Sequence, residues 1–159
     1  MKYCQLDRIT SLQPGVRLTA ERTLRDEEEY LKDHFPRFPV MPGVMMLEAL
    51  QQAAMWMIRT GDDFPTPLVL LREVRGVKFG DFLSPGETLE ITAESIKTVG
   101  NRTTVKATAT KQGRTTVSAR LILERCGTEE PERLGTDEDV RARSQKQFHE
   151  LFGDVPLCK

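Results

Sequence analysis

The stretch from Gly43 to about Arg59 constrains the fold of this chain more than any other. It carries no proline and is long enough for a helix of roughly 25 Å. Val44, Met45, Met46, Leu47, Ala49, Leu50, Ala53, Ala54, Met55, Trp56, Met57 and Ile58 place apolar side chains nearly all round it. A helix of that kind is expected to be buried on every side, so the rest of the chain must wrap it. Gly61 and the Pro65–Pro67 pair end the segment. Just before it runs HFPRFPVMPG, residues 34–43. Its three prolines forbid regular helix and central strand, which predicts an ordered loop leading into the helix.

The wrapping layer reads as strands. Val16, Leu18 and Ala20 alternate with polar residues, as does the latter part of Leu68–Phe79. Leu89, Ile91 and Ala93 alternate away from a Pro85-Gly86 turn, and Val105, Ala107 and Ala109 follow a Gly100-Asn101 hairpin signal. Val117, Ala119, Leu121 and Leu123 come after a turn near Gly113. Short turns between consecutive strands make an antiparallel meander. The fold class is therefore α+β, a long buried central helix wrapped by a curved antiparallel β-sheet. Asp26–Lys32 is expected to form a short helix capped by Asp26. Residues 1–126 form the main domain. Residues 127–159 read as a charged linker and a C-terminal helical extension whose stripe is Val140, Phe148, Leu151 and Phe152. That extension could dock on the domain, on a partner, or stay mobile.

Composition excludes several classes. The 159 residues include 23 basic and 24 acidic side chains, a net charge of −1, which gives no global pull toward nucleic acid or an anionic membrane. Cys4, Cys126 and Cys158 are far apart and form no CxxC pair, so they are expected to be free thiols rather than zinc ligands. The amino-terminal residues lack a signal-peptide pattern and no apolar run reaches membrane-span length, so the expected location is cytoplasmic, without membrane insertion. No HExxH, GxSxG, GxxxxGK[ST] or GxGxxG motif occurs, and no metal or organic cofactor is expected.

The chemistry concentrates around the helix start. Glu48 lies one turn into an otherwise apolar helix, where an unpaired carboxylate is costly and must be neutralised, paired or hydrogen-bonded. Gln51 and Gln52, three and four residues on, share its face and could orient it. A purely structural polar cluster explains Glu48 equally well. His34 opens the rigid loop, and an imidazole can take and return a proton near neutral pH; hydrogen bonding to backbone is its plainer role. Gly43 sits where unpaired N–H groups and the helix dipole can stabilise an oxyanion, or merely lets the chain turn.

Taken together, His34-Phe35-Pro36, Pro39, Pro42-Gly43-Val44, Glu48-Ala49 and Gln52 resemble the signature HFPGxPxMPGVxxxEAxxQ of the β-hydroxyacyl-acyl-carrier-protein dehydratases, the hot-dog-fold enzymes of type II fatty-acid synthesis. Weaker likeness runs from Leu6 to Glu124 and includes Leu6-Asp7-Arg8, Val77-Lys78-Phe79 and Ser84-Pro85-Gly86-Glu87. The resemblance implies a hot-dog fold and a homodimer, possibly assembled as a trimer of dimers. It implies His34 as the base at C2 of a 3-hydroxyacyl thioester and Glu48 as the acid at the C3 hydroxyl. Gly43 N–H would hold the thioester oxygen, and the Val40 carbonyl would fix the imidazole tautomer. The substrate would be carried on acyl carrier protein or coenzyme A, and no cofactor is implied. Each site would take its His from one subunit and its carboxylate from the other.

The chain departs from the pattern at Arg37 in place of glycine, at Asp33, at Tyr30-Leu31, and at Gly80-Asp81, where the family often has basic residues. Arg72, Arg75, Lys78 and Arg37 are the alternative charges for docking an acidic carrier. The methionines Met45, Met46, Met55 and Met57 suggest either an adaptable acyl tunnel or simple core packing. A hot-dog acyl thioesterase and a non-catalytic acyl-binding or regulatory protein are the competing readings.

Overall fold

The apolar segment forms helix α1, Gly43–Gly61, and the strands curve around it. The computed structural model describes residues 4–35, 37–62, 68–126 and 137–155. Six strands make one antiparallel sheet: β1 (Arg8–Gln13), β2 (Arg17–Thr23), β3 (Leu68–Phe79), β4 (Thr88–Val99), β5 (Arg102–Lys111) and β6 (Arg114–Cys126). Their spatial order is β1-β2-β4-β5-β6-β3. A second helix, α2 (Asp137–Phe152), follows the sheet. This is the hot-dog fold that the resemblance implies.

Small side chains let the helix lie close to the sheet. Leu18, Ala93, Ala107 and Ala119 form one row across β2, β4, β5 and β6 by direct cross-strand pairing. Ala49, Ala53 and Ala54 of α1 are fully buried among them. Larger residues, Leu50, Trp56, Met57 and Ile58, fill the flanks of the same core. Burial of each such side chain contributes roughly 1.5–3 kcal/mol. Register shifts in β3 and β4 bend the strands around the helix.

The meander holds for β4, β5 and β6, whose tight turns include Gly100 and the Gln112-Gly113 pair with positive φ at both residues. It fails for β3, which runs along β6 at the sheet edge and reaches β4 only through a crossing connection. In that connection Pro85-Gly86 makes the expected turn: Gly86 has φ +89, and the Glu87 N–H donates to the Ser84 carbonyl.

One strand escaped the sequence reading, and two further expectations change. Strand β1 carries no clean alternation, because a bulge between Ile9 and Ser11 puts Ile9 and Leu12 inward three residues apart. The expected helix at Asp26–Lys32 contracts to one 3-10 turn, Glu29–Lys32, without a side-chain cap. Helix α1 is not enclosed on every side: Val44 and Glu48 are exposed, and Met45, Leu47, Gln51 and Met55 are half-buried. One curved sheet covers one side of a helix, and the rest of the surface stays open in a single chain.

Of the stretch read as a linker, 127–139, residues 127–136 lie outside the described residues, as do Pro65–Pro67 and Cys158, and residues 137–139 open helix α2 instead. Helix α2 packs on the domain. Phe148 and Phe152 stack against Trp56 at centroid distances of 5.5 and 5.8 Å, and Val140 is buried. Cys4 and Cys126 are free thiols.

Candidate active site

The loop before α1 turns sharply just after His34. Phe35 adopts φ +48, a left-handed conformation unfavourable for a bulky residue, and the Phe38 N–H closes the turn on the Phe35 carbonyl. The His34 and Phe35 rings lie 4.5 Å apart. The His34 main-chain N–H donates to the Tyr30 carbonyl at 3.0 Å. Farther on, the Met41 N–H donates to the Leu83 carbonyl, which pins the loop to the connection before β4. Val40 and Met41 are buried while His34 remains half-exposed.

Pro42 precedes the helix and offers no side-chain cap. Among the described residues, neither the Gly43 nor the Val44 N–H finds an acceptor. These are the orphan donors of the α1 N-terminus, and the helix dipole adds positive potential there. A Cβ at position 43 would stand 2.8 Å from Phe79 Cε1, so glycine is what lets the Phe79 ring lie against the helix start.

Glu48 is not the buried carboxyl that its apolar neighbours suggest. It faces outward on the open side of α1. Its Oε1 is held by Gln52, whose Nε2 donates to it at 3.0 Å one turn along. Gln52 is buried, and its own carbonyl oxygen accepts the Gln5 main-chain N–H at 2.7 Å. The carboxyl group of this exposed residue is therefore tethered at one oxygen. No hydrogen bond joins the His34 ring to the Val40 carbonyl among the described residues. Glu48 and Gln52 are thus brought into contact, and Gly43 presents its N–H one turn earlier, whereas His34 and Val40 stand along the loop.

The open surface around these groups is apolar. Phe35, Phe38, Val44, Phe79 and Phe82 are each more than half exposed, and Phe38 packs edge-on against Phe82 at 5.9 Å. Of the four methionines, Met46 and Met57 belong to the core, and only Met45 and Met55 border the open side. Arg72 and Arg75 are engaged by Glu124 and Glu73 at 2.6 Å each, leaving Lys78 and Arg37 as exposed cations of the expected docking set. Gln5 and Arg22 escaped the sequence reading. The signal was the inward alternation Leu18, Ala20, Arg22, which puts a charge at a core position.

The FabA-like domain family model matches residues 2–124. The chain belongs to the FabA-like family. Its relatives include the 3-hydroxyacyl-[acyl-carrier-protein] dehydratase FabZ of Levilactobacillus brevis, 35% identical over 116 residues, which are 73% of this chain and 78% of that protein. The protein of the same name from an Anaeromyxobacter species is 36% identical over 121 residues, covering 74% and 77% of the two chains. Among solved structures, the dehydratase heterocomplex ApeI:P from Xenorhabdus doucetiae aligns with TM-score 0.65 and 15% identity, over 83% of this chain and 89% of that one. A hypothetical thioesterase with coenzyme A from Streptococcus pneumoniae aligns with TM-score 0.60 and 10% identity, over 76% and 86%. Both likenesses establish the fold. His34, Val40, Gly43, Glu48 and Gln52 all fall inside the FabA-like match, and α2 lies beyond it.

Proposed function

We propose that this FabA-like protein dehydrates (3R)-3-hydroxyacyl thioesters to trans-2-enoyl thioesters in fatty-acid or related acyl-chain synthesis. The observation that carries the reading is the tethered Glu48 carboxyl beside the orphan N–H donors of α1. The thioester oxygen would accept the Gly43 N–H, which stabilises the charge that develops when a proton leaves C2. His34 takes that proton through its neutral imidazole. Glu48, held at Oε1 by Gln52, delivers a proton from its other oxygen to the C3 hydroxyl. The C3–O bond breaks, water departs, and the C2–C3 double bond forms. His34 then returns its proton to Glu48 through solvent, so the cycle needs no other reactant.

Two features support a homodimer. Strand β3 has a twelve-residue outer edge with no strand neighbour among the described residues. The open face of α1 carries both Glu48 and exposed apolar residues. A second copy pairing along β3 would cover that face and bring its own His34 toward Glu48, as two equivalent sites about a two-fold axis. The carrier of the acyl group is acyl carrier protein, with coenzyme A as the alternative, and the site of action is the cytoplasm.

The test is an assay that follows both products. With 3-hydroxyacyl thioesters on carrier protein and on coenzyme A, enoyl thioester should accumulate without free thiol. Thiol release without enoyl product would favour a thioesterase instead, and neither product would favour a non-catalytic acyl-binding protein. For the shared site, inactive His34→Ala and Glu48→Gln chains are refolded together. Random pairing makes half the dimers mixed with one intact site in two, so activity returns to about a quarter of wild type.

A further inference from the structure

Arg22 is a buried cation at a position where the strand pattern calls for an apolar residue. Its side chain is 3% exposed. It sits on the inward face of β2 after Leu18 and Ala20. Desolvating a guanidinium costs several kcal/mol unless its donors are all satisfied. Here they are. Nη2 meets the Glu28 carboxylate, Nη1 donates to the Thr23 carbonyl at 2.7 Å, and Asp7 lies 3.8 Å away. The Tyr30 phenol packs beside it, with a pKa raised by burial and pulled back by the Arg22 charge.

The remaining donors point elsewhere. Nε and Nη2 converge on Gln5 Oε1 at 3.4 and 3.3 Å. Gln5 in turn donates its main-chain N–H to Gln52 Oε1 at 2.7 Å, and Gln52 Nε2 donates to Glu48 Oε1 at 3.0 Å. Arg22 is thereby joined to the Glu48 carboxyl by an unbroken chain of hydrogen bonds through two glutamines, all buried up to Glu48 itself. Gln5 belongs to the segment ahead of β1, which has no regular structure of its own to hold its N–H in place. The guanidinium adds a hold from the side chain.

We propose that Arg22 and Gln5 are positioning residues for Glu48: the ion-paired guanidinium fixes Gln5, Gln5 fixes the Gln52 amide, and Gln52 aims the carboxyl. This rests on Glu48 being the acid. A tethered carboxyl delivers its proton from one fixed oxygen, whereas a loose one on an open helix face samples rotamers that miss the hydroxyl.

A double-mutant cycle tests it, with Glu48→Gln measured alongside. Gln5→Leu removes the acceptor of two Arg22 donors and keeps the main-chain N–H and the Arg22–Glu28 pair; circular dichroism checks that it is folded, and Gln5→Glu, which keeps an acceptor for Arg22, should retain kcat. The expected result is a fall in kcat of about tenfold with KM little changed, and no further fall when Gln5→Leu is added to Gln52→Leu, because the chain is already cut. Equal losses in both backgrounds, or a Gln5→Leu enzyme with full kcat, would overturn the positioning role. Full activity of Glu48→Gln would instead overturn the acid assignment on which it rests.

Discussion

Gln52→Leu separates what the polar chain contributes to stability from what it contributes to turnover. Leucine nearly keeps the buried volume but removes the bonds of the amide to Gln5 and Glu48. The Gln5 main-chain N–H, held at 2.7 Å, is left without its acceptor in a buried segment. An orphaned buried donor costs about 1–3 kcal/mol. For a domain of this size that lowers Tm by about 3–10 °C. Glu48 is exposed, so losing its 3.0 Å bond to Gln52 adds little to the stability loss and falls on catalysis instead. Misplacing a reacting group by about 1 Å can cost as much as 10²-fold, so kcat should drop by about 10- to 100-fold. Urea denaturation followed by circular dichroism gives the first quantity, and steady-state formation of enoyl thioester gives the second. A variant as stable as wild type, with kcat within about twofold of it, would refute the reasoning for both.

Gly61→Ala should destabilise the protein by about 1–3 kcal/mol in the same denaturation assay, because the added Cβ would stand 2.4 Å from the Gly15 Cα and meet backbone that cannot swing away. Truncation after Cys126 removes Phe148 and Phe152 from Trp56, so the emission of this lone tryptophan should shift to longer wavelength.

The inward faces of β2, β4, β5 and β6 were legible because one face of each strand is packed and the other is not, so alternation survives in the residues themselves. The loop and the start of α1 were legible from prolines and glycine, whose backbone limits are local. What escaped was non-local. That β3 lies beside β6 rather than β4 follows from how the sheet closes around the helix, which no single turn records. The apolar run of α1 suggested burial on every side, yet Val44 and Glu48 face outward in the single chain, since a sequence does not say whether apolar surface meets its own sheet or a second molecule. The Arg22–Gln5–Gln52 chain joins residues up to 47 positions apart, and only the inward placement of Arg22 hinted at it. His34, Gly43 and Glu48 stood out because their motif resembles a known family's signature, and Gln52 was already a candidate to orient Glu48; what emerged only with the fold was the extension to Gln5 and Arg22.

The most direct test of the central claim is the single-turnover rate of dehydration for wild type, His34→Ala and Glu48→Gln, with circular dichroism confirming that each is folded. The account predicts conversion of 3-hydroxyacyl thioester to trans-2-enoyl thioester by the wild-type protein, and a loss of about 10²-fold or more in each variant, as expected for a positioned base and a positioned acid. A folded variant that retains near-normal dehydration would contradict the role assigned to the residue it lacks.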